Sequence, residues 1–165
     1  MARSDMFLKA VGQRTGEIAG ESNDKHFRNQ IDVVDWSWGM SAPSAVGGQR
    51  TGRTLMKEVV VHKRADKAST SLMMVMRNNE LLTSVVLSVR KSGGTASLPY
   101  WVMTLQNARI NAYDVESSID VDGSPMLREI VTFAFRTVSI DYTVQSATGG
   151  AVGSSNFNGD SGPEP

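Results

Sequence analysis

Residues Ile130–Thr143 read IVTFAFRTVSIDYT, and this run decides the fold. Apolar and polar residues alternate, the period-two pattern of a strand with one buried face. In the first half Val131, Phe133 and Phe135 share a face; in the second Val138, Ile140 and Tyr142 take the opposite parity. The phase slips around Arg136–Thr137, which predicts a bulge or a change of packing surface there.

The same pattern recurs on both sides. Ile31–Met40 carries Val34, Trp36, Trp38 and Met40 on one parity, with Asp35, Ser37 and Gly39 on the other. Leu55–His62 contains three successive β-branched valines, Val59 to Val61. Leu82–Arg90 aligns Val85, Leu87 and Val89, and Leu98–Leu105 aligns Trp101, Met103 and Leu105. Met6–Val11 is a shorter mixed run. Ser69–Asn78 differs: Leu72, Met73, Val75 and Met76 follow hydroxyl N-cap residues at helical spacing, predicting one short helix. Many strands, turn signals between them and one helix predict a mostly β protein, a small β-barrel or sandwich with one short α-helix at its side. Trp36, Trp38, Leu72, Met73, Phe133 and Phe135 are its expected core residues.

Two segments lack this order. Ser41–Thr54 is rich in Gly, Ser and Thr, and a connection of that length is usually functional or disordered. Gln145–Pro165 is rich in Gly and Ser and reads as a flexible tail, so residues 1–144 are the expected domain and 145–165 an appendage. Removing everything after Thr148 is expected to leave folding and assembly unchanged. The string Gly-Gln-Arg-Thr-Gly occurs at Gly12–Gly16 and again at Gly48–Gly52, too short to mark a repeat architecture.

Composition narrows the function. The 165 residues carry 17 basic and 17 acidic side chains, a net charge of zero. A nucleic-acid partner would demand a basic excess, and a membrane surface a basic patch. The longest apolar stretch, Leu72–Met76, is far too short to span a bilayer. The first residues hold no apolar run of signal-peptide length, so export is expected to use a route without a classical signal. With no cysteine, disulfides, thiolate metal sites and cysteine nucleophiles are excluded.

No chemical constellation stands out. His26, near Glu21 and Asp24, reads as a surface residue that orders its loop, and His62 as a polar residue at a strand end. Asp120-Val-Asp-Gly-Ser lacks the remaining ligands of a calcium loop and reads as a turn between long strands. Gly47–Gly52 lacks the Lys-Ser/Thr of a phosphate-binding loop, and no Gly-x-Ser-x-Gly elbow occurs. Trp36 and Trp38 share a face, as a buried pair or as a binding platform for sugars or bases; burial is the simpler reading.

One ordered series is specific in combination. Asp5-Met-Phe-Leu-Lys precedes Gly20-Glu-Ser and Asp24-Lys-His; then come Ile31-Asp-Val and Trp36-Ser-Trp-Gly-Met. Asp66-Lys-Ala-Ser-Thr-Ser-Leu-Met-Met opens the helix, and Val89-Arg-Lys-Ser-Gly-Gly closes the next strand. Over roughly residues 4–144 this resembles the haemolysin-coregulated protein family, Hcp, the tube subunits of bacterial type VI secretion systems. The resemblance implies a barrel of two sheets, hexameric rings stacked into a tube, and no catalytic site or cofactor. It implies as partners other copies of the chain, sheath and spike proteins, and effectors carried in the channel. It also implies a bacterial cytoplasmic protein that is secreted when the system fires.

Within that architecture Ser37 and Asp35, opposite in parity to the tryptophans, are expected to face the channel. The loop Ser41–Thr54 is expected to touch the next ring through Val46, Gln49, Arg50 and Arg53. Three other readings stay open: a monomeric β-barrel ligand-binding module, a hydrolase with a spatially assembled site, and a contractile phage-type tail tube protein.

Overall fold

The computed structural model describes residues 5–45, 47–49, 52–91, 98–146 and 151–162. The strands are β1 (Met6–Gly12), β2 (Gly16–Ile18), β3 (Ile31–Ser37), β4 (Met40–Ser41), β5 (Leu55–Met56) and β6 (Val59–Arg64). They continue as β7 (Leu82–Val89), β8 (Trp101–Ile119), β9 (Pro125–Gln145) and β10 (Ala151–Asp160), with one helix, α1 (Ser69–Arg77), between β6 and β7. The described residues are mostly β, as the alternating pattern predicts, with one short helix and two sheets. The small sheet is the β4–β5 pair at the base of the Ser41–Thr54 loop.

In the large sheet the order is β10-β9-β6-β3-β1-β7-β8, and β9 also pairs with β8. That last pairing returns the ladder to its start, so six strands form a closed, barrel-like circuit. Closure depends on the length of β9: its first part pairs with β6 over Arg128–Phe133, while β8 runs beside it from Pro125 to Tyr142. Closing a sheet satisfies the backbone N–H and C=O groups that an open edge leaves unpaired.

Burial follows the alternation. Leu8, Ala10, Ile31, Val33, Val59, Val61, Val85, Leu87, Met103, Leu105, Val131 and Phe133 fill the interior. Each large apolar side chain so buried contributes roughly 1.5–3 kcal/mol. Leu72 and Val75 present one stripe of α1 to this core. Met73, expected in the core, is exposed: helical spacing turns it away from the stripe that Leu72 and Val75 occupy.

The predicted phase slip in β9 is a change of packing surface. Phe135 and Val138 are both buried, and the β8–β9 register runs unbroken past them. Opposite this point Asn107 takes a positive φ of 51°, which reverses the parity of β8 as well. The bulge in this ribbon lies elsewhere, between Ile110 and Ala112. In β3 a second register shift, between Val33 and Asp35, separates the buried Ile31 and Val33 from the half-buried Trp36. That shift is why the tryptophans, though even-numbered, come to the core side.

Two corrections concern length. β8 was expected to end at Leu105 and runs to Ile119. The expected flexible tail carries β10, paired antiparallel with β9 from Ala151↔Gln145 to Asp160↔Thr137. Backbone pairing, which composition does not report, holds this Gly/Ser-rich segment in place.

Candidate functional site

Residues paired across a ladder share a face, so the outer wall of the barrel can be read rung by rung. Asp35 on β3 lies opposite His62 on β6, which lies opposite Ile130 on β9 and Asp114 on β8. The next rung is Ser37, Val60, Thr132 and Ala112. The alternate positions Val61, Val131 and Phe133 are core, so both rungs point away from it. Asp35 and Ser37 are exposed, and Asp35 Oδ1 accepts the Trp36 N–H at 2.9 Å. The first rung carries two acids and a histidine beside Ile130, and the second only small polar and apolar side chains.

Trp36 and Trp38 are half-buried at the rim of the core. Trp36 lies 6.0 Å from the Trp101 ring and Trp38 lies 6.4 Å from Phe157 of β10. Both rings pack against protein, which leaves little of a platform. Gln49 and Arg53 of the long loop are exposed; Val46 and Arg50 lie outside the described residues. His26 is exposed, and its backbone N–H donates to Asp24 Oδ1 at 2.9 Å.

Buried charge, unread in the sequence, fixes how the long hairpin leaves the barrel. Lys63 and Glu129 are almost fully buried and meet at 2.7 Å. Lys63 Nζ also donates to the Arg64 carbonyl at 2.9 Å and lies 2.9 Å from Asp66 Oδ1. Glu129 Oε1 accepts from Ser69 Oγ at 2.6 Å and from the Tyr113 hydroxyl at 2.7 Å. Burial and the Glu129 carboxylate both push the Tyr113 hydroxyl pKa well up, so it stays a donor. One cluster thus ties β6, β8, β9 and the first turn of α1. Its signal in sequence is a lysine and a glutamate at core-facing strand positions, opposite in charge to the parity rule.

Farther out, Arg64 grips Asp120 with two hydrogen bonds of 2.7 Å. Those bonds hold the Asp120 carboxyl down at about 2. Gly123, with φ 84°, closes the turn. Arg90 binds Asp24 and Asp5 and lies over the rings of Phe7 and Phe27, which stack at 4.5 Å. Glu80 accepts from the Thr15 N–H at 2.9 Å, the Thr15 hydroxyl at 2.9 Å and the Arg14 N–H at 3.2 Å. These contacts lower the Glu80 pKa against the effect of its burial. Every one of these charges is engaged in holding loops to the barrel. No group of three or more metal-ligating side chains lies together among the described residues.

The model of the family described as "Type VI secretion system effector, Hcp" matches residues 7–142, from the first strand to the end of the barrel ribbon. The chain belongs to the Hcp family. It is 33% identical over 148 residues to protein hcp1 of Pseudomonas aeruginosa, covering 88% of this chain and 86% of that one. The crystal structure of a type VI secretion system effector from Yersinia pestis superposes with a TM-score of 0.71 at 25% identity, covering 94% of this chain and 99% of that one. Hcp1 from Salmonella typhimurium gives 0.71 at 25% identity, with 95% and 94% covered. The Hcp match takes in the wall rungs, the Lys63–Glu129 cluster and the Asp120 turn; β10 lies beyond it. Among the described residues no helix is long and apolar enough to cross a membrane.

Proposed function

We propose that this chain is the tube subunit of a type VI secretion system. The observation that carries this reading is the Hcp match over residues 7–142, which takes in the whole closed circuit β1 to β9. In this reading six copies close into a ring, rings stack into a tube, and sheath and spike proteins act on that tube. The protein is made in the bacterial cytoplasm and leaves with the tube. It works as a structural subunit without a cofactor, binds no nucleic acid and inserts in no membrane.

The channel wall is assigned to the face of Asp35 and Ser37, with Val60, Thr132 and Ala112 beside them. Small, mildly polar side chains let effector proteins sit against the wall and leave it. The exposed Gln49 and Arg53, with Val46 and Arg50 of the same loop, are assigned to contact with the next ring. The ligand-module alternative draws no support from the tryptophans, whose rings pack against Trp101 and Phe157.

Sedimentation at micromolar concentration, with electron microscopy of the same sample, tests the reading. A six-subunit mass and annular particles are expected; a monomer would overturn it. Replacing Ser37 with glutamine then tests the wall, with effector retention expected to fall while rings persist. Broken rings would move Ser37 to a subunit interface.

A further inference from the structure

The small sheet at the base of the Ser41–Thr54 loop cannot hold itself. β4 and β5 share the rungs Met40↔Met56 and Ser41↔Leu55, and beside them the Lys57 N–H donates to the Gly39 carbonyl at 2.9 Å. A two-stranded ribbon this short is marginal without packing. Met40 and Leu55 stay exposed. The packing comes from Met56 and from Trp38 just before β4, both half-buried against the edge of the core.

The last strand lies on these same two side chains. The Phe157 ring stands 6.4 Å from the Trp38 ring, tilted by 50°. The tip of Met56 occupies the place where a side chain on Gly159 would begin, and a Cβ there would also come within 3.2 Å of the Phe157 ring. The missing side chain of Gly159 is therefore the space that the methionine tip fills. Beyond this seat the chain is fastened down. Asp160 Oδ1 accepts from Arg136 Nε at 3.1 Å and from the Gly162 N–H at 2.8 Å. The Ser161 N–H donates to the Arg136 carbonyl at 2.8 Å, and its hydroxyl bonds the Phe135 and Arg136 carbonyls. Phe135 is a core residue, so these bonds tie the end of β10 to the rigid part of β9. From Ala151 to Asn156 every side chain of β10 is exposed; the anchors gather at Phe157–Gly162, beside the base of the loop.

We propose that β10 acts within its own subunit as a strap across the base of the long loop, with Phe157 and Gly159 as positioning residues that set the direction in which the loop leaves the barrel. The consequence for assembly rests on the tube-subunit reading, in which this loop meets the next ring; the strap itself needs no second copy. A loop held at its base loses less freedom when its exposed Gln49 and Arg53 dock than one that swings from its ends. A role in barrel stability alone does not account for the arrangement. The circuit closes through the β8–β9 pairing without β10, and Phe157 remains 37% exposed.

Amide hydrogen exchange on the full chain tests the strap. The Lys57 amide reports the base of the loop, and the Leu87 amide, between β1 and β8, reports the barrel. Phe157→Ala, which removes the ring beside Trp38, and Gly159→Val, which evicts the methionine tip, are each expected to speed exchange at Lys57 roughly tenfold. Exchange at Leu87 and the melting temperature should change little. Gly159→Val combined with Met56→Ala is expected to bring Lys57 back toward the wild-type rate, because the valine fills the space the methionine leaves. Both single variants should keep the ring mass in sedimentation and give shorter stacks in electron micrographs. Unchanged exchange at Lys57 in both single variants would overturn the strap. So would equal acceleration at Lys57 and Leu87, or a double variant that exchanges faster than either single one. Stacks of wild-type length from variants with a loosened base would overturn its role in the ring contact. A wild-type chain that forms no rings, or rings that never stack, would sink the tube reading, while exchange at Lys57 still decides the strap.

Discussion

The barrel body and the outer ribbon use the same strand grammar to opposite ends. In the body, Leu8, Leu87, Val131 and Phe133 are essentially inaccessible. On the outer hairpin Val115, Ile119, Val121 and Leu127 are all about half exposed or more, and on β10 so is Val152. Val115, Leu127 and Ile119 lie on the face that, nearer the barrel, carries Tyr113, Val131 and Glu129. The core-facing side therefore runs on past the end of the core. The body is stabilised from within by apolar burial. The hairpin is positioned by charge, through Lys63–Glu129 at its root and Arg64–Asp120 at its turn, and leaves Val115, Ile119 and Leu127 exposed. An element fixed by ion pairs at its root and its turn, with exposed apolar side chains between them, is suited to contacts with another molecule.

The sharpest way to break this contrast is to cut each region in turn. Phe133→Ala is expected to cost about 3–5 kcal/mol by leaving a cavity among well-packed neighbours. Chemical denaturation should show a lower midpoint or an insoluble protein; an unchanged midpoint would refute its place in the core. Glu129→Ala, which takes the fully buried carboxylate from a buried ammonium and leaves Asp66 as its remaining counter-charge, should cost up to ~3–5 kcal/mol. Pairing Glu129→Gln with Lys63→Met should recover much of that, because the unpaired charge goes with its partner. If the double variant is no better than the single, the cluster acts through shape and not charge.

Trp36→Ala should fall below the ~3 kcal/mol of a fully buried aromatic, since its ring sits at the rim. Thermal melting against Phe133→Ala reads the difference directly. Acid sharpens the comparison next. The folded pKa values of Asp120, Asp24 and Glu80 are depressed, so their stabilisation is complete above the ordinary carboxylate range and fades as pH falls through the lowered values. Asp32, raised by burial and by the neighbouring Asp66, works in the opposite sense and is relieved by acid. Stability should decline between about pH 4 and pH 2, and Asp120→Asn should flatten the lowest part of that curve. A wild-type curve flat to pH 2 would contradict the Arg64–Asp120 assignment. Smallest of all, Ile119→Ser and Leu127→Ser should move the stability of the isolated subunit by no more than about 0.5 kcal/mol. A large loss would mean that the hairpin tip folds back onto its own barrel.

Alternation exposed the strands that have one wet and one dry face. Ile130–Thr143, Leu82–Arg90 and Val59–His62 announce themselves because their surroundings differ sharply on the two sides. The run Gln106–Ile119 is illegible because the positive φ of Asn107 reverses its parity before the buried Ala108 and Ile110, and past Tyr113 a ribbon with solvent on both sides puts no demand on parity. β10 was hidden for the same reason: glycine, serine and asparagine signal disorder by composition, and only the presence of β9 beside them supplies a ladder. Met73 misled because helical spacing alone cannot say how wide the buried stripe is. The tryptophans were placed near the core by parity, but their depth depended on the β3 register shift, which alternation does not reveal.

Much was settled by the chain alone: the strand-rich class, the single helix, the slip in β9, the absence of thiol chemistry and, through its ordered motifs, the Hcp family. These depend on local pattern, on composition and on residue order, all of which are written along one dimension. Tertiary structure decided which strands neighbour which, that β9 is long enough to close the circuit, and that Lys63 finds Glu129 across 66 positions. It also decided which edges remain open. An open edge is a statement about what is not beside a strand, and the energies that bring β6, β8 and β9 together are non-directional burial terms summed over residues far apart in sequence.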